Sequence, residues 1–147
     1  MTRSVIRELQ QSDISQVMRI WLNGNTEAHP FVSREYWVSN FDMVKQQLAS
    51  AEVYVAETNG QIQGFIGLMD TYIAGIFVDQ TCRSQGVGRQ LLACAKEKHD
   101  ALTLSVYREN RRAVSFYLRE GFQISASGVD EETGQQEYTM CFAHGMA

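Results

Sequence analysis

The chain has 147 residues, of which 44% are hydrophobic and 20% are charged, and its formal net charge at pH 7 is -4. This length and composition predict one folded domain over residues 1–147 and exclude a disordered chain. The negative charge argues against a nucleic-acid-binding protein, which usually carries a basic stripe or patch. A cationic or neutral substrate suits the balance of charges better.

The cysteines indicate whether a metal site is expected, and the apolar runs indicate where in the cell the protein is expected. Cys82, Cys94 and Cys141 are widely spaced and lack the close histidine or cysteine partners that a zinc site needs, so we expect no metal and a reducing compartment. No run of eighteen apolar residues is present, and the N-terminus lacks the apolar stretch of a signal peptide. A cytoplasmic protein with no membrane partner is therefore expected.

In the first third of the chain, the spacing of apolar residues and the capping residues predict a strand and two helices. A strand over residues 5–9 is followed by Ser12 or Asp13, whose side chains can cap a helix. Apolar residues then recur at the spacing of one helical face, at Ile14, Val17, Met18, Trp21 and Leu22. This helix is predicted to end near Gly24, and Ser33 is predicted to cap a second helix with its own apolar stripe.

The rest of the chain alternates strands with two further helices. Strands are predicted over residues 52–57, 63–69, 72–78, 102–106, 122–126 and 136–142, and helices over residues 86–99 and 110–120. Asn59-Gly60 is a strong hairpin-turn signal. The order β-α-α-β-β-β-α-β-α-β-β predicts a mixed α/β (α+β) fold, in which about four helices flank a mostly antiparallel sheet.

A glycine-containing turn follows the strand that ends at Val78 and opens directly into a helix. The turn and the helix start read Arg83-Ser84-Gln85-Gly86-Val87-Gly88-Arg89. The free N–H groups and the dipole of a helix N-terminus favour an anion, and glycine lets that anion approach the backbone. The two glycines could instead only shape a turn. The Walker phosphate loop and the dinucleotide fingerprint both need residues that are missing here.

A second motif brackets a short helix at both ends. It runs Asn110-Arg111-Arg112-Ala113-Val114-Ser115-Phe116-Tyr117-Leu118-Arg119-Glu120-Gly121-Phe122. Asn110 is a natural N-cap and Gly121 a natural residue after the C-cap. Ala113, Phe116 and Tyr117 share one helical face.

Together the two motifs resemble those of the GNAT (GCN-five-related) N-acetyltransferases. Arg83-x-x-Gly86-x-Gly88 matches the pyrophosphate motif of that family, and the Asn110 motif matches the later motif position for position. The order of elements also matches, so the resemblance covers nearly the whole chain. Residues 28–31, 35–37 and 106–107 most resemble small bacterial enzymes of the YiaC and YjaB type, some of which are described as peptidyl-lysine acetyltransferases.

The resemblance implies acetyl-CoA as the co-substrate, with its pantetheine arm between two splayed strands. It implies that backbone groups of Phe77 and Val78 pair with this arm and that amides of residues 83–89 hold the pyrophosphate. Asn110 would fix the other side of the cofactor. The implied cofactor-binding residues are Phe77, Val78, Arg83, Ser84, Gln85, Gly86, Val87, Gly88, Arg89, Asn110 and Phe116.

The resemblance also implies direct attack of an amine on the thioester, with Tyr117 as the general acid for the departing thiolate. A phenol has an ordinary pKa of about 10 and a thiol about 8.5, so Tyr117 is protonated at neutral pH. The Val78 amide could stabilise the oxyanion. Alternatively, Tyr117 only packs beside Phe116.

The sequence does not single out one general base or one acetyl acceptor. Glu57, Asp70, His29 or water could take the proton of the amine, although each of the three residues also has a structural explanation. The acceptor wall would come from the two N-terminal helices and their loop, which carry Trp21, Glu27, His29, Phe31, Tyr36 and Trp37. The acceptor could be a protein lysine, a protein N-terminus or a small molecule such as a polyamine or a drug. A non-catalytic acetyl-CoA sensor is the competing class, and an exposed C-terminal sheet edge would permit a homodimer.

Overall fold

The computed structural model describes residues 4–82 and 86–145. In chain order its elements are β1 (Val5–Glu8), α1 (Ile14–Ala28), α2 (Arg34–Leu48), β2 (Glu52–Thr58), β3 (Gln61–Met69), β4 (Tyr72–Val78), α3 (Val87–Lys98), β5 (Ala101–Tyr107), α4 (Arg111–Arg119), β6 (Gln123–Val129) and β7 (Gln136–Ala143). Short 3-10 turns precede α1 and follow β4. The predicted mixed fold, with four helices and a mostly antiparallel sheet, is confirmed.

The seven described strands form one sheet in the order β1-β2-β3-β4-β5-β7-β6. All neighbours are antiparallel except β4 and β5, which are parallel. These two strands pair only through Tyr72 with Thr103 and Ile73 with Leu104. Beyond that point β4 and β5 diverge. We call the opening between their carboxyl-terminal ends the wedge.

Helices cover the two faces of the sheet with separate apolar clusters. On β2, Tyr54 and Ala56 join the cluster that contains α3 and α4 residues, whereas Val53 and Val55 join the cluster of α1 and α2. Side chains along a strand alternate between faces, so a strand buried on both sides supplies both clusters. The wedge therefore opens between two packed layers.

The prediction that α1 ends near Gly24 is wrong, because α1 continues to Ala28. Gly24 serves close packing: a Cβ atom there would lie 3.0 Å from Cδ1 of Phe77 on β4. The helix stops at His29, where φ is -125° and ψ is 62°. His29 precedes Pro30, and the proline ring disfavours the helical region for the residue before it.

Gly75 makes room for the Phe77 ring, which stacks on Phe65 at 5.3 Å between centroids. A Cβ atom on Gly75 would overlap Cε2 of Phe77. We expect Gly75→Ala to lower the free energy of unfolding by about 1–3 kcal/mol, measured by urea denaturation. Gly67→Ala is the matched control, since Gly67 lies directly opposite on β3 and its Cβ would meet no atom within 4 Å. Equal losses in both variants would show that the ring is not the cause.

Two sequence expectations concern metals and membranes. Within residues 4–82 and 86–145, no group of three or more His, Cys, Asp or Glu side chains is placed to hold a metal ion. The three cysteines are free thiols. None of the helices in the described part of the chain has the length and apolar character needed to cross a membrane.

Candidate active site

Backbone groups of β4 line one wall of the wedge. The Asp79 N–H donates to the Gln63 carbonyl on β3 at 2.7 Å. Hydrogen-bonded and non-bonded pairs alternate along an antiparallel ladder, so every second residue of β4 turns its N–H and C=O away from β3. By this alternation the backbone groups of Ile76 and Val78 face the wedge. They are the polar groups that an added chain could pair with.

The same alternation turns the backbone groups of Phe77 the other way. Its backbone groups face β3, where a Cβ atom on Gly64 would lie 2.7 Å from the Phe77 carbonyl oxygen. Its ring belongs to the α1 and α2 cluster. Ile76 is therefore the neighbour of Phe77 whose backbone groups face the wedge, and no sequence signal marks it, because the register of β3 against β4 decides which residues face outward.

The turn after β4 ends in a glycine with left-handed backbone geometry. Gly86 has φ of 80° and is the N-cap residue of α3, which begins at Val87. The N–H groups of Val87, Gly88 and Arg89 lie in the first helical turn, where the helix itself offers them no carbonyl partner. Such a helix start suits the predicted anion. Three further predicted residues of this turn lie outside the described residues: Arg83, Ser84 and Gln85.

The two sequence motifs meet at the wedge. A Cβ atom on Gly88 would lie 3.6 Å from Cζ of Phe116 and 3.6 Å from Cγ2 of Val78. The start of α3, one face of α4 and the end of β4 therefore pack together, as the predicted cofactor set requires. The Arg89 side chain is 78% exposed and lies 3.6 Å from a Glu120 oxygen, so it points to the surface.

Tyr117 is buried in the layer of α3 and α4, with 7% of its surface exposed. Its ring lies 5.3 Å from that of Phe116 and 5.5 Å from that of Phe122, in edge-to-face contacts. Burial raises the pKa of Tyr117 above its ordinary value, and the nearby Tyr72 adds to the rise. The phenol is therefore neutral at pH 7 and keeps its proton available as a donor.

Asn110 caps α4 as predicted. Its Oδ1 accepts a hydrogen bond from the Ala113 N–H at 3.3 Å, and its Nδ2 lies 3.2 Å from Nε2 of His29. Both ends of the side-chain amide are thus engaged within the protein. Direct contact between Asn110 and the cofactor stays a prediction.

Of the three candidate bases, Glu57 and Asp70 lie away from the wedge, and the surroundings of His29 oppose its protonation. Glu57 forms an ion pair with Arg7, with 2.6 Å between Nη2 and Oε1. Asp70 has φ of 55° and lies in the turn before β4, at the end where β4 and β5 are still paired. His29 is 8% exposed, and burial lowers its pKa to about 4. These contacts agree with the alternative that each of the three residues has a structural role.

An acidic turn borders the wedge on the side of α1 and α2. This turn, residues 130–135 between β6 and β7, is held by two tyrosines: Tyr36 of α2 donates to Glu132 at 2.9 Å and Tyr107 of β5 donates to Asp130 at 2.7 Å. Burial and the contact with Glu132 raise the pKa of Tyr36 to about 12, so it stays a donor. Burial and then Asp130 raise the pKa of Glu137. The run Asp130-Glu131-Glu132 is visible in the sequence, but its contact with Tyr36 is not.

A cavity of about 520 Å³ lies between α1 and the end of β4. Its lining includes Glu27 and Gly24 of α1 together with Val78 and Asp79. Of the predicted acceptor wall, Glu27 lines this cavity, whereas Trp21 and Trp37 belong to the buried cluster, as their helical stripes suggest. The space beside Val78 is therefore partly polar.

The family model described as an acetyltransferase (GNAT) domain matches residues 49–124. The match contains β4, α3, β5 and α4, which are the elements that form the wedge. The chain belongs to the GNAT acetyltransferase family. It is accordingly an N-acetyltransferase that depends on acetyl-CoA.

Relatives of this GNAT enzyme confirm the narrower resemblance. The peptidyl-lysine N-acetyltransferase YiaC of Escherichia coli K12 is 33% identical over 131 residues, which cover 88% of this chain and 90% of YiaC. The peptidyl-lysine N-acetyltransferase YjaB of the same strain is 30% identical over 131 residues, covering 88% and 89% of the two chains. The solution structure of apo YjaB has a TM-score of 0.83 at 28% identity, covering 98% of this chain and 99% of YjaB.

A more distant structure shares the fold of this GNAT enzyme. The PaiA N-acetyltransferase of Thermoplasma acidophilum, solved in complex with coenzyme A, has a TM-score of 0.79 at 17% identity. The similarity covers 96% of this chain and 99% of PaiA.

Proposed function

We propose that this GNAT enzyme acetylates the side-chain amine of protein lysines, with Tyr117 as the general acid. The wedge carries the proposal. β4 and β5 part after Ile73 and Leu104, so the outward backbone groups of Ile76 and Val78 have no strand partner among the described residues. An extended arm with amide groups can pair with such an edge as an added strand does.

Acetyl-CoA fits the groups around this opening. The arm would pair with Ile76 and Val78, and the pyrophosphate would accept hydrogen bonds from the first-turn amides of Val87 and Gly88. Phe116 would pack on the cofactor from the side of α4. The coenzyme A complex of PaiA supports this cofactor for a chain of the same fold. When bound, acetyl-CoA supplies the activated acetyl group, while the protein orients it.

The reaction would proceed by direct attack of a neutral amine on the thioester carbon. A C–N bond forms, and an outward-facing N–H of β4 would stabilise the negative charge that develops on the carbonyl oxygen. The C–S bond then breaks, and Tyr117 gives its proton to the departing sulfur. The phenolate recovers a proton from the positively charged nitrogen of the product, so no net proton is lost from the enzyme.

The pKa of Tyr117 limits how this proton can move. For free groups, transfer from a phenol to a thiolate is uphill by about 1.5 pKa units, or about 2 kcal/mol. Burial raises the pKa of Tyr117 further. The same apolar surroundings also destabilise a thiolate, which raises the pKa of the thiol and reduces the difference. Tyr117 would therefore donate while the C–S bond breaks, before a free thiolate forms.

A protein lysine suits the acceptor side of the wedge. Asp130 accepts a hydrogen bond from Tyr107 and Glu132 accepts one from Tyr36, while Glu137 pairs with Tyr107 across the sheet. These carboxyl groups favour a cationic acceptor. YiaC and YjaB, the relatives reported above, are both named peptidyl-lysine N-acetyltransferases. Because Glu57 and Asp70 are placed elsewhere, water would remove the proton of the attacking ammonium.

We expect calorimetry to show micromolar binding of acetyl-CoA. Thiol release should then be at least tenfold more efficient, by kcat/KM, with lysine peptides than with spermidine or an aminoglycoside. The matched control is the same peptide with its lysine already acetylated, which should give no release. If the enzyme instead prefers spermidine or the aminoglycoside to the peptide, its acceptor is a small molecule. Binding without turnover of any amine would favour a sensor, and no binding would contradict the proposed function.

A further inference from the structure

The wedge divides the sheet into two parts, and the end of α1 reaches across it. α1 packs on β3 and β4, where the Phe77 ring contacts Gly24. His29, the residue that ends α1, instead contacts the other part of the sheet: its ring lies 5.0 Å from that of Tyr107 on β5. Phe31 also meets Tyr107, at 5.7 Å. The α1–α2 connection therefore bridges the mouth of the wedge.

In the polar contact between Asn110 and His29, the donor and the acceptor can be assigned. Oδ1 of Asn110 accepts from the Ala113 N–H, so the amide nitrogen of Asn110 is the atom that faces His29. An amide nitrogen can only donate, so Nε2 of His29 must accept. The imidazole proton then resides on Nδ1, which is buried. The other tautomer would set two N–H donors against each other.

We propose that His29 is a positioning residue for acetyl transfer, which holds Asn110 and the start of α4 at a fixed distance from the acceptor wall. Tyr117 follows Asn110 by about two helical turns, so a displaced cap displaces the phenol. Loss of about 1 Å in placement can cost about a hundredfold in rate. This inference rests on the proposed function, since it takes Tyr117 as the acid.

His29 would need different chemical properties as a positioning residue and as a general base. A base needs a free lone pair and a suitable pKa, whereas Nε2 of His29 is already bonded to Asn110 and burial lowers the pKa of His29 to about 4. A positioning residue needs only an acceptor atom at this place. Glutamine supplies such an atom without the ability to take up a proton, and phenylalanine supplies only the ring.

The test compares His29→Gln with His29→Phe. We expect the Phe variant to lose at least tenfold in kcat and the Gln variant to keep at least a third of it, with the acid limb of the pH profile unchanged. The KM for acetyl-CoA should change by a smaller factor than kcat in the Phe variant, because β4 and the start of α3 still hold the arm and the pyrophosphate and only the contact with Phe116 on α4 is displaced. His99→Phe is the matched control, since His99 pairs with Glu52 at the far end of the sheet and its loss should leave kcat within twofold.

Several results would overturn the inference. Equal losses in the Gln and Phe variants, or no loss in either, would remove the hydrogen bond from the mechanism. A Gln variant that loses the acid limb of the pH profile would make His29 the base instead.

The hydrogen bond between His29 and Asn110 can also be tested in the wild-type protein, without an activity assay and without a variant that must fold. The long-range proton–nitrogen NMR spectrum of His29 should show the neutral imidazole protonated on Nδ1, and protonation on Nε2 would contradict the bond to Asn110. A wild-type enzyme that turns over no amine would contradict the proposed function, and this spectrum would still decide the bond.

Discussion

Replacing Tyr117 by phenylalanine is expected to lower kcat about a hundredfold, the low end for loss of a general acid. The departing thiolate would lose its proton donor, whereas the ring contacts with Phe116 and Phe122 would remain. Calorimetry should therefore show acetyl-CoA affinity within threefold of the wild type. Thiol release with a lysine peptide measures the fall in kcat.

Tyr54→Phe is the matched control for this substitution. Tyr54 is a buried tyrosine in the same apolar cluster, and its hydroxyl donates to Glu52 at 2.6 Å, away from the wedge. Its loss should leave kcat within about twofold. If Tyr117→Phe also keeps full turnover, then Tyr117 serves only packing and another group must protonate the thiolate.

Replacing Gly86 by valine should weaken acetyl-CoA binding at least tenfold, about 1.4 kcal/mol. Gly86 has φ of 80°, a left-handed backbone region in which a β-branched residue is strained. A Cβ atom there would meet nothing within 4 Å, so the cost comes from the backbone alone. The turn must shift, and the N–H groups of Val87 and Gly88 would then no longer point at the pyrophosphate. Calorimetric titration measures the loss.

Gly60→Val offers a closely matched comparison. Gly60 has φ of 79°, and its Cβ would also meet nothing within 4 Å, but it lies in the turn between β2 and β3. Both variants should lose similar unfolding free energy, and only Gly86→Val should lose affinity. Unchanged affinity in Gly86→Val would mean that the start of α3 does not hold the diphosphate.

Local patterns in the sequence predicted much of this structure. The cap at Asn110, the left-handed Gly121 and the hairpin at Asn59-Gly60 all appear where the sequence places them. Each depends on residues within a few positions of one another, so composition and spacing are enough to reveal it. Both motifs of the GNAT family are of this kind, which is why the fold and the family were readable before the structure.

Contacts between distant segments account for the errors and omissions. α1 passes Gly24, which packs against Phe77 of β4. The backbone groups of Ile76 face the wedge because the register with β3 decides which groups face outward. Glu57 is held by Arg7, fifty residues earlier in the chain. No local pattern carries this information.

The sequence by itself determined the order of elements, the glycine turn after β4 and the helix that carries Tyr117, because each depends on neighbours along the chain. Only the tertiary structure decided that β4 and β5 part after Ile73 and that the side chains of His29 and Asn110 lie within hydrogen-bond distance. The physical reason is that strand pairing and helix packing join residues far apart in sequence, and the free energy of those contacts sets the geometry of the site.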